Sequence, residues 1–198
     1  MSAERETQMM DAARELFFSR GMSATSMDDV ARHTGVSKAT IYRRFTSKEE
    51  MFAYIVLNSA EKVSASFACI TLDEENPIAS LRQSALALHK QAYKKEAISL
   101  MRQLIAEANN FPKLSQQARD IYIQSVIKRL THFFTSLIKK GLMKHNYPQQ
   151  AAISFVTLCT GNLRPLLNAV ISKKDELKRM ESELEVFIKG CELKNPEP

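Results

Sequence analysis

The sequence predicts an all-α protein, on three observations. Gly (5) and Pro (6) are scarce in 198 residues, so turn signals are few and the elements between them long. Apolar residues recur at three- and four-residue intervals rather than alternating. Several segments open on Ser or Thr with an acid close behind, and others on Pro, both signatures of a helix start.

Residues 4–20 carry Met9, Ala13, Leu16 and Phe17 at helical spacing, and Gly21 follows as a stop. Thr25 or Ser26 caps a short second helix that ends near His33, its first turn holding Asp28 and Asp29. Thr34-Gly35-Val36 is a break. Ser37 caps a third helix, Lys38 to about Phe45, with Ile41 and Phe45 facing inward. Ser47-Lys48-Glu49-Glu50 is a capping box for a long helix over 47–69, with Phe52, Ile55, Val56 and Val63 on its buried side. Further helices are expected at about 77–94, 96–109, 113–140, 148–171 and 173–190. Leu114, Ala118, Ile121, Val126, Leu130, Phe133 and Leu137 form one apolar stripe, Pro165 should kink its helix, and residues 191–198 read as a frayed tail.

Hydrophobic residues make up 44% and charged residues 25%, ordinary for a globular protein. No apolar run approaches a membrane span, and the N-terminus lacks the apolar stretch of a signal peptide. Cys69, Cys159 and Cys191 are odd in number and far apart, so a reducing, cytoplasmic setting is expected and no disulfide framework. The net charge of +6 permits nucleic-acid binding without specifying it. Residues 1–50 hold eight basic and eight acidic side chains, but between Ser37 and Lys48 stand Lys38, Arg43, Arg44 and Lys48 with no acid. No Ser/His/Asp, Cys/His, phosphate-loop or metal-ligand spacing is present, so neither catalysis nor a cofactor is expected. His33, His89, His132 and His145 read as satisfied or exposed histidines.

Thr25–Lys48 carries the functional signal. A short helix, a turn with Gly35 and a second short helix are the layout of a helix-turn-helix. Val30, Ala31, Val36 and Ile41 pack the two helices together. The second then presents Lys38, Ala39, Thr40, Tyr42 and Arg43 outward. Lys38 suits guanine acceptors or a phosphate, the Ala39 and Thr40 methyls suit thymine methyls, and Tyr42 and Arg43 suit phosphate oxygens. The helix starts at Thr25 and at Ser47-Lys48 offer N–H groups to phosphates.

The string ATSMDDVARHTGVSKATIYRRFTSKEEMF, within a match over about residues 5–60, closely resembles the DNA-binding domain of TetR-family regulators. The segment MRQLIAEANNFPKLSQQ resembles, less specifically, part of many C-terminal domains of that family. The resemblance implies an N-terminal three-helix DNA-binding domain (1–48, running into the connecting helix 47–69). It also implies a C-terminal domain of about six helices (49–198) for effector binding and dimerisation. It places Thr25, Ser37, Lys38, Ala39, Thr40, Tyr42, Arg43 and Lys48 at DNA-contacting positions. Family members often carry Gly where Ala39 stands, which bears on base preference. The last two helices would build a homodimer interface from Phe155, Leu158, Leu163, Leu166, Leu177, Leu184 and Phe187. A small-molecule effector pocket would draw on Phe67, His89, Tyr93, Met101, Leu104, Tyr122 and Phe133. The function so implied is a dimeric repressor on a palindromic operator in double-stranded DNA, released by a small hydrophobic effector. The alternatives on the same fold are an activator or a ligand-independent architectural DNA-binding protein.

Overall fold

A computed structural model describes residues 3–67, 70–160, 166 and 172–196. The described residues form helices and connecting turns, with no strand among them. The elements are α1 (Ala3–Arg20), α2 (Met27–Thr34), α3 (Lys38–Tyr42), α4 (Lys48–Ser66), α5 (Pro77–Ala92), α6 (Lys95–Glu107), α7 (Pro112–Tyr122), α8 (Lys128–Lys139), α9 (Pro148–Thr160) and α10 (Lys173–Gly190). Pro165 and Leu163 lie outside the described residues.

Local chemistry sets most of the boundaries. Ser26 and Asp29 form a reciprocal capping box at the start of α2. The Ser26 hydroxyl accepts from the Asp29 N–H at 3.1 Å, and the Asp29 carboxylate accepts from the Ser26 N–H at 3.1 Å. These bonds, the Ser26 side chain first, hold the Asp29 carboxyl below its ordinary range. Gly35 ends α2 at φ 68°, in the left-handed region, and Ser37 caps α3 by accepting from the Thr40 N–H at 3.2 Å. At α4 the expected box is split over two residues. Ser47 accepts from the Glu50 N–H, but the Glu50 carboxylate reaches past Ser47 to the N–H and hydroxyl of Thr46, both at 2.6 Å.

The chain folds into two compact units that do not follow its order. One comprises Met1–Glu61 with Ser99–Arg119, the other Lys62–Ile98 with Asp120–Pro198. Residues 99–119, read from sequence as part of the C-terminal domain, therefore pack with the N-terminal helices. In the first unit Met9, Ala13, Leu16 and Phe17 of α1 share a core with Val30, Ile41, Phe45, Phe52 and Ile55. Phe17 meets Phe52 edge-on at 5.5 Å, and Phe52 lies 5.9 Å from Phe111. The second unit is built around Phe134, Phe155 and Phe187, whose ring centroids are 5.5–6.0 Å apart, with Leu81, Leu88, Leu130, Leu137, Met180 and Leu184 around them.

Two sequence expectations need correction. The predicted single helix over 113–140 is interrupted by a π-helical turn at Ile123–Ile127. The apolar stripe already steps by five residues from Ile121 to Val126, and the wider turn keeps Val126 and Leu130 buried. The tail is not frayed over its described length. The Lys144 N–H donates to the Cys191 carbonyl at 2.8 Å, the Lys194 N–H donates to the Leu142 carbonyl at 3.0 Å, and Leu193 is buried.

Nothing lies within 4 Å of a Cβ built on Gly35, so any cost of a side chain there is backbone strain alone. Gly35→Val should lose about 1–2 kcal/mol, and Gly35→Asn, which tolerates a positive φ, distinctly less. Thermal unfolding followed by circular dichroism checks this, and equal midpoints for the two variants would refute the left-handed requirement.

Candidate nucleic-acid interface

The face of α3 is divided cleanly. Ile41 has no exposed surface, whereas Lys38, Ala39, Tyr42 and Arg43 are exposed, Tyr42 at 43%. Burying Ile41 contributes roughly 1.5–3 kcal/mol, and in a helix this short it fixes which side chains face solvent. Thr40 is half-buried, its hydroxyl 2.8 Å from that of Ser37, so both hydroxyls are engaged at the helix start.

The cations between Ser37 and Lys48 differ sharply in their partners. The Lys38 ammonium sits 2.9 and 3.0 Å from the two carboxylate oxygens of Asp28, and this pairing raises its pKa. Arg44 pairs with Glu6 at 2.5 Å and lies over the rings of Phe45 and Tyr54, each centroid 5.4 Å away. Lys48 donates to the Met22 carbonyl at 3.1 Å. Arg43 is exposed and has no ion-pair partner among the described residues.

Thr25 does not fit the contact expected of it. It is 1% exposed and its hydroxyl donates to the Gly21 carbonyl at 2.8 Å, so the side chain closes the α1–α2 turn. The α2 start is likewise occupied, by the Ser26–Asp29 box, and Asp28 adds a second acid to its first turn. Asp28 itself was missed by sequence reasoning. The run from Ser37 to Lys48 contains no acid, but the helix-turn-helix brings the first turn of α2 beside the start of α3. Ten residues of separation hide that pairing.

The residues expected to form an effector pocket divide between the units. Met101 and Leu104 belong to the first, where Met101 is 48% exposed. Phe67, His89, Tyr93, Tyr122 and Phe133 belong to the second. There Phe67 meets Tyr122 edge-on at 5.8 Å, and His89 stacks on Tyr93 at 4.2 Å. His89 Nδ1 is 3.3 Å from the Cys159 carbonyl, and the Tyr93 hydroxyl donates to the buried Glu176 carboxylate at 2.9 Å. Arg179 bonds both Glu176 and Glu183. Burial, and then Glu176, raises the Tyr93 pKa, and burial also raises that of Tyr122.

Of the residues expected at a dimer interface, five are packed within the second unit. Phe155, Leu184 and Phe187 are buried in the core of their own protomer, and Leu158 and Leu177 pack partly against it. Ile153 of α9 and Val186 of α10 are instead the large apolar side chains of these helices exposed among the described residues. No group of three or more His, Cys, Asp or Glu suited to a metal occurs among the described residues, and no helix there is long and apolar enough to cross a membrane.

The family described as bacterial regulatory proteins, tetR family, matches residues 9–55, and the AefR-like transcriptional repressor C-terminal domain matches residues 79–189. The chain belongs to the TetR family. It is similar to the transcriptional repressor KstR2 of Mycobacterium tuberculosis, 23% identical over 138 residues, which cover 70% of this chain and 66% of KstR2. The transcriptional regulator SrpR of Pseudomonas putida is 26% identical over 161 residues, covering 81% of this chain and 74% of SrpR. Among solved structures, the flavonoid-responsive regulator FrrA superposes with a TM-score of 0.75 at 26% identity over the whole of both chains. The family and these relatives are regulators of transcription, not enzymes.

Burial pushes the Cys159 thiol up to about 12, so it stays protonated and unreactive at neutral pH. Iodoacetamide at pH 8 should leave Cys159 unmodified in the folded protein and modify it in denaturant, as read by peptide mass spectrometry. Rapid native labelling would show that α9 is not packed as described.

Proposed function

We propose that this TetR-family member is a homodimeric repressor that reads a palindromic operator with α3 and is released by a flat, largely apolar effector. The observation that carries the reading is the division of α3, Ile41 sealed beneath it and Lys38, Ala39, Tyr42 and Arg43 exposed above. Ala39 and Lys38 face base edges, with Thr40 contributing its methyl group. Tyr42 and Arg43 hold phosphates, while Lys48 reaches the backbone from its place on the Met22 carbonyl. Thr25 and Ser37 act through the turns they close.

Pairing of two copies sets the two α3 helices on successive major grooves, so the symmetry of the site mirrors that of the protein. Ile153 and Val186 support a dimer face on the outer sides of α9 and α10. The effector reading is supported by the aromatic pairs Phe67–Tyr122 and His89–Tyr93, and by the flavonoid response in the name of FrrA. An effector that favours the conformation with misplaced reading heads shifts the population off DNA.

Fluorescence anisotropy with the duplex upstream of the gene tests the reading. Wild-type protein should bind it with steep salt dependence and release it on addition of an effective flavonoid. Arg43→Ala should weaken operator and random duplex alike and reduce the salt slope by about 0.9, the value of one phosphate contact. A variant that altered base preference at an unchanged slope would assign Arg43 to bases instead. Combining Ile153→Glu with Val186→Glu should give a folded monomer in sedimentation velocity. A persistent dimer would move the interface elsewhere.

A further inference from the structure

Lys38 opens the reading helix, yet its ammonium is held by an acid of the neighbouring helix. Both oxygens of Asp28 lie within 3.0 Å of Nζ, and both side chains are exposed, Lys38 at 47% and Asp28 at 64%. An exposed pair of this kind adds little to stability. Its position is what matters. Asp29, beside it, has its carboxylate engaged in the Ser26 box, and Glu6 and Glu50 are engaged with Arg44 and Thr46. Asp28 thus brings one negative charge to the start of α3, where DNA brings many.

An ammonium has three donors and no acceptor. Two arrangements are open when a duplex arrives. Lys38 can leave Asp28 for a phosphate, which strands a carboxylate beside the polyanion, inside the distance over which salt screens charge. Or Lys38 can stay on Asp28 and give a remaining N–H to a guanine O6 or N7. The first is available on any sequence and is penalised. The second needs the right base and keeps the pair intact.

We propose that Asp28 is a specificity-determining positioning residue that keeps Lys38 as a base reader and disfavours binding to non-operator DNA. This rests on α3 being the reading helix. Asp28 need not touch DNA to do so. It acts through the orientation of Lys38 and through its own charge.

The test uses the full-length protein and two probes, the tightest duplex selected from a randomised library and poly(dI-dC). Asp28→Asn keeps the side-chain shape at the start of α2 and removes the charge. It should bind poly(dI-dC) more tightly, with a salt slope steeper by about 0.9, because Lys38 now neutralises a phosphate. Its preference for the selected duplex over poly(dI-dC) should fall roughly tenfold, the scale of one base contact. Asp28→Glu, which keeps the charge, should hold the wild-type slope on poly(dI-dC). In the double variant Asp28→Asn with Lys38→Met, the steeper slope should disappear.

An Asp28→Asn protein, folded by circular dichroism, with wild-type slope and wild-type preference would overturn the role given to Asp28. A steeper slope that persisted without Lys38 would overturn the part played by the pair. Wild-type protein showing no salt-dependent duplex binding would be a separate failure, of the reading of α3 itself.

Discussion

Ile41 is the anchor on which the exposed face of α3 depends. α3 is five residues long and closes few hydrogen bonds of its own, too few to be stable as an isolated helix. Its persistence comes from packing on α2 through Ile41 and Val30, both without exposed surface, with Phe45 buried just beyond it. Once that side is sealed, the identities of the exposed side chains follow from the 100° step of the helix. The cap at Ser37 and the left-handed Gly35 set the start of α3, so its N-terminal end is fixed as well as its buried side.

The electrostatics of the first unit are organised around that surface rather than spread over it. Arg44 is drawn back onto Glu6, Phe45 and Tyr54, and Lys48 onto a backbone carbonyl that closes the turn between α1 and α2. The basic run therefore contains cations held within the fold and exposed cations side by side. A count of Lys and Arg treats them alike, whereas their partners separate them. Lys38 falls between the two classes, since its acid partner sits at the edge of the same surface.

The second unit shows a different division of labour. Its aromatic core of Phe134, Phe155 and Phe187 is buried, and the polar residues His89, Tyr93, Glu176 and Arg179 meet where α5, α9 and α10 come together. Apolar residues of α9 and α10 thus serve the core of this unit first, leaving Ile153 and Val186 exposed outside it. The π-helical turn after α7 belongs to the same logic. One inserted residue re-phases a long helix so that Leu114 and Ala118 bury in one unit while Val126, Leu130 and Phe133 bury in the other.

The sequence by itself determined most helix starts, the helix-turn-helix and the outward placement of Lys38, Ala39, Tyr42 and Arg43 on α3. Each is decided by interactions spanning three or four residues. Ser26 with Asp29, Ser37 with Thr40 and Gly35 with its own backbone are local, and so visible in order along the chain. Only the tertiary structure decided which cations are held, that Thr25 is buried, that residues 99–119 join the N-terminal helices, and that Phe155, Leu184 and Phe187 lie in the core. A periodic apolar stripe says that one face is covered but not by what, and a charge says nothing of a partner ten or more residues away. Burial and long-range pairing are properties of the packed chain, set by which surfaces meet.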